Sequence, residues 1–193
     1  MQYKLNRQTS ILSKRSLSKR FMNPDRILRD IEVKKGDVVA DLGCGSGFFV
    51  IPASTIVDSG GKIYAVDILS SELEKIKGNA KTYGLWNIEY IQADLEVAKS
   101  TSIPSASVDI AMISNTLSQT QRDDKVIEEA NRIIKPKGKL VIIDWDKVKT
   151  PFGPRLEDRP EKDGIIRITE EIGLKFEQNL ETGLYHYGLI FRK

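Results

Sequence analysis

The sequence is poor in the residues from which metal sites and disulfides are built. Of 193 residues one is a cysteine, Cys44, and one is a histidine, His186. A single cysteine excludes an internal disulfide and a zinc site made of several cysteines, so we expect no metal site. No apolar run approaches the roughly 20 residues that span a bilayer. We therefore expect no membrane span and a cytoplasmic location.

The chain also has only a small excess of positive charge. The 30 basic residues face 27 acidic ones and leave a net charge of +3, which does not favour nucleic acid as a partner. The basic charge is uneven, because residues 1–20 hold six basic residues and no acidic one. They contain no apolar core of a secretory signal. We interpret residues 1–22 as a basic, solvated N-terminal arm. A transit peptide and a lid that faces an anionic substrate stay open as alternatives.

The rest of the chain, residues 23–193, has the pattern of one domain in which strands alternate with helices. Near-continuous apolar runs predict buried parallel strands covered by helices on both faces. A Pro-rich stretch, 147–160, follows the fifth strand, and two further strands joined across Glu181–Gly183 predict an antiparallel pair at the sheet edge. The predicted strands are 37–42, 61–67, 88–94, 108–114 and 138–145, and the predicted helices are 48–57, 70–84, 123–135 and 162–173.

The stretch "VVADLGCGSGFFV" joins the first strand to the first of these helices. Its glycines are Gly43, Gly45 and Gly47. Glycine lets a ligand approach the main chain closely, and N–H groups at a helix start bind anions. However, the dinucleotide fingerprint G-x-G-x-x-G/A fails at Phe48, and Asp41 would repel a phosphate. The loop therefore favours a cationic ligand, and a nicotinamide-linked oxidoreductase is a distant alternative.

This stretch resembles the first motif of class I S-adenosylmethionine-dependent methyltransferases, in particular the type 11 group that resembles ubiquinone and menaquinone biosynthesis enzymes. Three further segments match in order, namely "KIYAVD" ending at Asp67, "IQAD" ending at Asp94, and "EANRIIKPKGKLVIIDW". The likeness covers roughly residues 24–146. It implies an α/β fold with a Rossmann-like, doubly wound, seven-stranded sheet that is mostly parallel with an antiparallel C-terminal strand. It also implies the cofactor S-adenosyl-L-methionine, with S-adenosyl-L-homocysteine as product.

The resemblance implies a role for each acid at a strand end. Asp67 would accept hydrogen bonds from the ribose diol, and Asp94 would accept one from the adenine amino group. The adenine ring would lie between Ile68 and Leu95. Asp41 would orient the loop or face the methionine ammonium group. The predicted cofactor-binding residues are Asp41, Gly43, Cys44, Gly45, Gly47, Asp67, Ile68, Asp94, Leu95 and Asn115.

Motifs that the sequence lacks exclude several classes of methyl acceptor. "ISNTLSQ" follows the fourth strand where methyltransferases of adenine or glutamine amino groups carry N/D-P-P-Y/F, and RNA cytosine and arsenite methylation need more than one cysteine. A small molecule is favoured over a protein side chain, and the sequence does not indicate an oligomeric state. The alternative is a non-catalytic, S-adenosylmethionine-binding or partner-activating protein of the same fold.

Candidate catalytic residues are few. Asn115 follows the fourth strand, Asp144 ends the fifth strand, where we expect it to face the same crevice, and His186 has an unperturbed pKa near neutrality. Strand alternation predicts that Tyr185 and Tyr187 lie on the sheet face opposite His186. Two arginines of the Pro-rich stretch, Arg155 and Arg159, could bind an acidic substrate, and solvated side chains are the equal alternative.

Overall fold

The structure is a computed structural model that describes residues 22–193, so most of the predicted arm, residues 1–21, lies outside the described residues. Seven strands form one sheet in the order β3-β2-β1-β4-β5-β7-β6. Every pairing is parallel except the two made by β7, which confirms the predicted fold class. The strands are β1 Val38–Leu42, β2 Lys62–Asp67, β3 Ile88–Gln92, β4 Val108–Ser114, β5 Ile134–Trp145, β6 Lys175–Asn179 and β7 His186–Arg192.

Helices cover both faces of the sheet. The α-helices are α1 Pro24–Asp30, α2 Val50–Val57, α3 Ser70–Thr82, α4 Asp123–Ile133 and α5 Lys162–Glu171. Their buried side chains form two core clusters. The first contains residues of α1, α2 and α3, and the second contains residues of α4 and α5. Along β1, Val39 enters the first core and Ala40 and Leu42 enter the second. Burial on both faces explains the continuous apolar runs. No helix within residues 22–193 is long and apolar enough to cross a membrane.

Each of the four predicted helices is two residues shorter in the structure than in the sequence prediction. Helix α3 begins at the predicted Ser70, and its N-cap residue Leu69 makes no side-chain cap hydrogen bond. Helix α4 ends at Ile133, and β5 begins at once with Ile134, which pairs with Val108 and has an extended ψ of 135°. Lys135 precedes Pro136 and so disfavours helical backbone. The fifth strand therefore starts four residues earlier than the predicted 138.

The C-terminal hairpin has the predicted antiparallel pairing but a different placement of its aromatic residues. Strand β7 lies between β5 and β6, so β6 forms the edge. The strand starts at His186, so alternation does not extend to Tyr185. The Tyr185 ring lies 5.2 Å from that of Phe152, and Tyr187 is buried in the core beside α4 and α5.

Arg159 organises the segment that follows β5. Its side chain is buried, its guanidinium carbon lies 5.1 Å from the centre of the Trp145 ring, and its nitrogens donate to backbone oxygens of the surrounding loop. The carbonyl acceptors are Asp146, Val148, Phe152 and Pro154, and Thr150 Oγ1 accepts as well. Neither alternative raised for Arg159, substrate contact or solvation, agrees with the structure, since its side chain is buried and its donors are used inside the loop. Arg155 pairs instead with Glu157 and Asp158.

We expect Arg159→Lys to loosen this loop, because an ammonium cannot reproduce the planar fork of donors. Loss of several buried hydrogen bonds should lower the free energy of unfolding by about 2 kcal/mol and speed proteolysis between residues 146 and 158. Chemical denaturation and limited proteolysis measure the two effects. Arg155→Lys is the matched control, because its ion pairs are exposed and should contribute little to stability. Equal behaviour of the two variants would contradict this role of Arg159.

Candidate functional site

A cavity of about 690 Å³ opens at the carboxyl ends of the strands around β1, where open α/β sheets bind ligands. Its size suits a nucleoside-sized molecule. Nine of the ten predicted cofactor-binding residues line it, and these are Asp41, Gly43, Cys44, Gly45, Asp67, Ile68, Asp94, Leu95 and Asn115. The remaining one, Gly47, is not part of the lining.

The glycine loop is held close to β2 and β4. Gly43 has φ +80°, and a Cβ atom there would lie 2.7 Å from Thr116 Cγ2. The N–H groups of Gly43 and Cys44 both donate to Val66 O, at 2.8 and 2.9 Å. Gly47 has φ +90°, and a Cβ atom there would lie 2.9 Å from Ile76 Cγ1 of α3. The third glycine therefore allows helix packing, whereas the first allows the loop to approach β4.

Asp41 presents an unsatisfied acceptor. Its carboxylate is buried in the cavity wall, and within residues 22–193 no group donates a hydrogen bond to Oδ1. Burial, and to a lesser extent the nearby charge of Asp67, raises the pKa of Asp41 to about 7. A buried carboxylate without a partner costs free energy. A cationic donor in the cavity would satisfy this oxygen and favour its ionised form.

Asp67 already holds two backbone N–H groups. Its Oδ2 accepts from Gly45 N at 2.8 Å, and its Oδ1 accepts from Leu69 N at 2.9 Å. Each carboxylate oxygen can accept a further hydrogen bond. Asp67 can therefore bind a diol while it fixes the glycine loop against the start of α3, a second task that the sequence did not reveal.

The adenine-binding candidates also lie on the cavity wall. Asp94 comes two residues after the end of β3, and its Oδ1 accepts from Glu96 N at 2.9 Å. Leu95 is buried, whereas Ile68 is 56% exposed. Two apolar side chains that line one cavity, one of them open to solvent, suit the faces of a flat ring.

Asn115 adds a second unsatisfied acceptor. It has a φ of +54°, a backbone conformation that costs free energy in a residue other than glycine. Its side-chain Oδ1 is buried without a hydrogen-bond partner among the described residues. Its backbone is fixed by Asn115 N donating to Ile143 O at 2.8 Å and Gln119 Nε2 donating to Asn115 O at 2.6 Å. Of the three catalytic candidates, only Asn115 lines the cavity.

The other two catalytic candidates do not reach the cavity, which corrects the expectation that Asp144 faces it. Asp144 is fully buried, and it accepts from Trp145 N at 2.8 Å and Ser118 N at 3.3 Å. The His186 ring lies 4.3 Å from the Trp145 ring. Burial and the charge of Arg159 lower the pKa of His186 to about 4, which leaves it a weak base.

Sequence reasoning missed about half of the lining. The additional residues are Met22, Ser46, Phe48, Phe49, Leu69, Glu72, Ala93, Glu96, Ser114, Thr116, Gln119 and Thr120. Several of them adjoin predicted residues, and that adjacency was the only available signal. Gln119 and Glu72 come from segments whose approach to the cavity depends on tertiary packing.

Five of the lining residues are acidic, namely Asp41, Asp67, Glu72, Asp94 and Glu96. Within residues 22–193 no lysine, arginine or histidine lines the cavity. Such a wall attracts a cation and repels phosphate groups, which disfavours a dinucleotide.

Comparison with known proteins agrees with this geometry. A family model described as a methyltransferase domain matches residues 33–182. The chain belongs to this methyltransferase family. Its class is that of the class I S-adenosylmethionine-dependent enzymes, and S-adenosylmethionine is the cofactor of this class.

Curated relatives carry the name ubiquinone/menaquinone biosynthesis C-methyltransferase UbiE. The protein from Francisella tularensis subsp. holarctica is 33% identical over 127 residues, which are 65% of this methyltransferase and 50% of the relative. That from Escherichia coli O1:K1 / APEC is 30% identical over 116 residues, 60% of this chain and 45% of the relative. The methyltransferase thus spans about half the length of these relatives.

A solved structure extends the likeness to nearly the whole chain. The S-adenosylmethionine-dependent methyltransferase from Aquifex aeolicus superimposes with a TM-score of 0.81 at 27% identity, covering 89% of this chain and 90% of that one. The shared fold places the cavity of this methyltransferase at the strand ends, where such sheets bind ligands.

The residues present fit the cofactor. S-adenosylmethionine carries a cationic ammonium group, a sulfonium and a nucleoside. The unsatisfied Asp41 Oδ1 and the acidic wall suit the cationic part, and the Ile68–Leu95 pair suits a flat ring.

Proposed function

We propose that a single domain, residues 23–193, transfers a methyl group from S-adenosylmethionine to a small-molecule acceptor in the cytoplasm. The observation that carries this proposal is the buried, unsatisfied Oδ1 of Asp41 in the wall of a 690 Å³ cavity. A buried anion with no partner is costly in a folded protein unless a ligand supplies one. The acidic wall and the family membership support the same cofactor.

Each part of the cofactor has a candidate partner in the chain. Asp41 would hold the ammonium group, Asp67 the ribose hydroxyls and Asp94 the adenine amino group, while Ile68 and Leu95 cover the ring. The bound sulfonium supplies an activated methyl group whose departure leaves a neutral thioether. The chain's own contribution is to bind, to align the acceptor and to exclude water.

The cavity offers little general-base chemistry. The described lining contains no histidine, lysine or tyrosine, and three of its five carboxylates are assigned to the cofactor. The other two are already paired, Glu72 with Lys75 and Glu96 with the N–H groups of Gln121 and Arg122. Burial raises the pKa of the Cys44 thiol above its usual range, so it stays protonated. A base is required only when the acceptor must lose a proton to the enzyme. We therefore propose an acceptor whose nucleophilic atom is already electron-rich.

The mouth of the cavity favours an apolar acceptor. Phe48 is 47% exposed and Leu69 is 56% exposed, and both belong to the lining. Together with the relatives named for ubiquinone and menaquinone biosynthesis, this supports an aromatic, quinol-like ring as the acceptor class. Such a ring would pack against apolar side chains, take the methyl group at an electron-rich carbon and release the displaced ring proton to water.

Two measurements test the proposal in sequence. Titration calorimetry with S-adenosylmethionine, S-adenosylhomocysteine and NAD should show binding of the first two only, and NAD binding alone would contradict the cofactor assignment. Methyl-labelled S-adenosylmethionine should then transfer label to reduced benzoquinones or naphthoquinones that lack a ring methyl group. Binding without transfer to these rings or to a small-molecule extract would favour the non-catalytic alternative.

We expect Asp67→Asn to weaken S-adenosylmethionine binding by about 1.5 kcal/mol, the lower end for a hydrogen bond to a charged group. An amide keeps one acceptor oxygen but presents a donor to the other N–H of the loop. Calorimetry measures the change. Asp109→Asn is the matched control, because Asp109 also accepts a backbone N–H, from Val38 at 2.9 Å, and does not line this cavity. Unchanged affinity in a folded Asp67→Asn variant would remove Asp67 from the site.

A further inference from the structure

Asp144 is a buried carboxylate whose role the proposed chemistry does not explain. It lies in β5, fully buried, and pairs across the sheet with Tyr187 of β7. Its Oδ1 accepts from Trp145 N at 2.8 Å, and its Oδ2 accepts from Ser118 N at 3.3 Å. The second contact leaves the sheet and reaches the short 3₁₀ helix Leu117–Gln119.

That 3₁₀ helix belongs to the segment that forms one wall of the cavity. Asn115, Thr116, Gln119 and Thr120 all line it. Thr116 Oγ1 donates to Leu42 O at 3.1 Å, and Gln119 Nε2 donates to Asn115 O at 2.6 Å. Asp144 thus contacts the wall from behind, at the 3₁₀ turn between the lining residues Thr116 and Gln119.

We propose that Asp144 is a positioning residue, which holds the wall formed by residues 115–120 in its cofactor-binding conformation through the N–H group of Ser118. This rests on the proposed function, since the wall is that of the proposed cofactor site. An ionised carboxylate accepts a hydrogen bond about twice as strong as a neutral group does. The wall should therefore be held more firmly when Asp144 carries its charge.

The surroundings of Asp144 determine the pH range in which it gains or loses its charge. Burial raises its pKa to about 6, against the opposing effect of the N–H donors. Tyr187 faces it from β7, and burial together with the charges of Asp144, Asp123, Asp146 and Glu161 raises the pKa of Tyr187 above its usual range, so it stays neutral. His186, with a pKa of about 4, is neutral above pH 5. Asp123, at the start of α4, accepts from Thr120 Oγ1 at 2.9 Å, and burial raises its pKa as well. The variant Asp144→Asn separates the two acids, because it is Asp144 that accepts from Ser118 N.

Hydrogen exchange of the ligand-free protein tests the contact itself. In the wild type, the protection factor of the Ser118 amide should fall about tenfold as the pH drops from 8 to 5. Asp144→Asn should show the lower protection at both pH values. Protection that is independent of pH in the wild type would overturn the proposal, and this arm needs no variant to fold.

Calorimetry with S-adenosylmethionine tests the consequence for binding. The ratio of the wild-type affinity to that of Asp144→Asn should be about ten at pH 8 and should approach one at pH 5. Effects of the cavity acids cancel in this ratio. Glu129→Gln is the matched control, because Glu129 is also buried and bonds to Thr101 and to Arg132 at 2.7 Å, away from the cavity. It should lower stability but leave the affinity unchanged at both pH values.

The outcomes separate this proposal from the proposed function. Failure of the wild type to bind S-adenosylmethionine would contradict the proposed function, while hydrogen exchange would still decide whether Asp144 holds the wall. Binding by the wild type together with a pH-independent affinity ratio would overturn the positioning role alone. A loss of stability in Asp144→Asn without the pH-dependent changes would mean a purely structural role.

Discussion

Asp41→Asn should make the ligand-free protein more stable and at the same time weaken cofactor binding. The wild-type carboxylate is buried without a partner for Oδ1, and a neutral amide of the same shape removes the cost of that charge. The same change removes the partner of the cofactor's ammonium group. We expect an affinity loss of about 3 kcal/mol at pH 7.5, on the order of 100-fold, within the range for truncating one member of a buried charge pair.

The pH dependence of stability has a definite sign. The pKa of Asp41 is raised to about 7 in the folded protein from an ordinary value of 3.8. The folded state therefore binds more protons than the unfolded state between these values, and this group lowers stability as the pH rises from about 4 to 7. The stabilisation by Asp41→Asn should be absent near pH 4 and complete above pH 7, at most on the order of 4 kcal/mol.

Binding has the opposite pH dependence. A cation favours ionised Asp41, so wild-type affinity should fall up to tenfold per pH unit below pH 7, and binding at pH 6 should release a proton. Above about pH 8 affinity should fall again, because an α-amino group loses its charge there. Asp41→Asn should lack the acidic limb. Calorimetry in buffers of different ionisation enthalpy measures the proton release, and denaturant titrations from pH 4 to 8 measure stability.

The matched control is Asp37→Asn. Asp37 precedes β1 at the opposite end of the same strand, is also buried, and accepts from Lys34 N at 3.0 Å. Its replacement should leave cofactor affinity unchanged and give no stabilisation at pH 8. Tight, pH-independent binding by Asp41→Asn would show that Asp41 does not face the cation.

The order of elements and much of the site could be predicted because both depend on local patterns. An apolar run that ends in an acid or a glycine loop marks the carboxyl end of a buried strand, and all such ends in a parallel sheet lie on one edge. Asp41, Asp67 and Asp94 therefore meet in one cavity, as the sequence predicted. The individual hydrogen bonds of these acids could not be predicted. Asp67, for example, accepts from the backbone N–H groups of Gly45 and Leu69.

Residues whose roles depend on side-chain direction were predicted less well. Asp144 ends a strand at the correct edge, but its carboxylate turns to the 3₁₀ helix that packs beside β5. Arg159 lies in an irregular loop, where no periodicity shows whether a side chain points inward. The lining residue Gln119 approaches through a turn set by Thr116 and Leu42. Each of these positions follows from tertiary packing, which a single sequence does not encode in a short pattern.

Gly43→Ala should cost more than any other single change in the glycine loop, because it combines backbone strain with a clash. The residue has φ +80°, and its Cβ atom would lie 2.7 Å from Cγ2 and 3.0 Å from Cβ of Thr116. Rotation of the threonine side chain would relieve the first contact but not the second. Strain in the left-handed region costs about 1–2 kcal/mol, and overpacking a further 1–3 kcal/mol. We expect a loss of about 3 kcal/mol in the free energy of unfolding, measured by denaturant titration.

Gly36→Ala separates the two contributions. Gly36 has φ +88°, close to that of Gly43, but nothing lies within 4 Å of an added Cβ atom. It should lose only the strain energy, about 1–2 kcal/mol, and keep its affinity for S-adenosylmethionine. Gly43→Ala should also displace Thr116 and hence weaken binding, and adding Thr116→Ala should recover part of its stability. Equal losses in the two glycine variants would mean that strain alone is responsible, and that the close approach of the loop to β4 is not required.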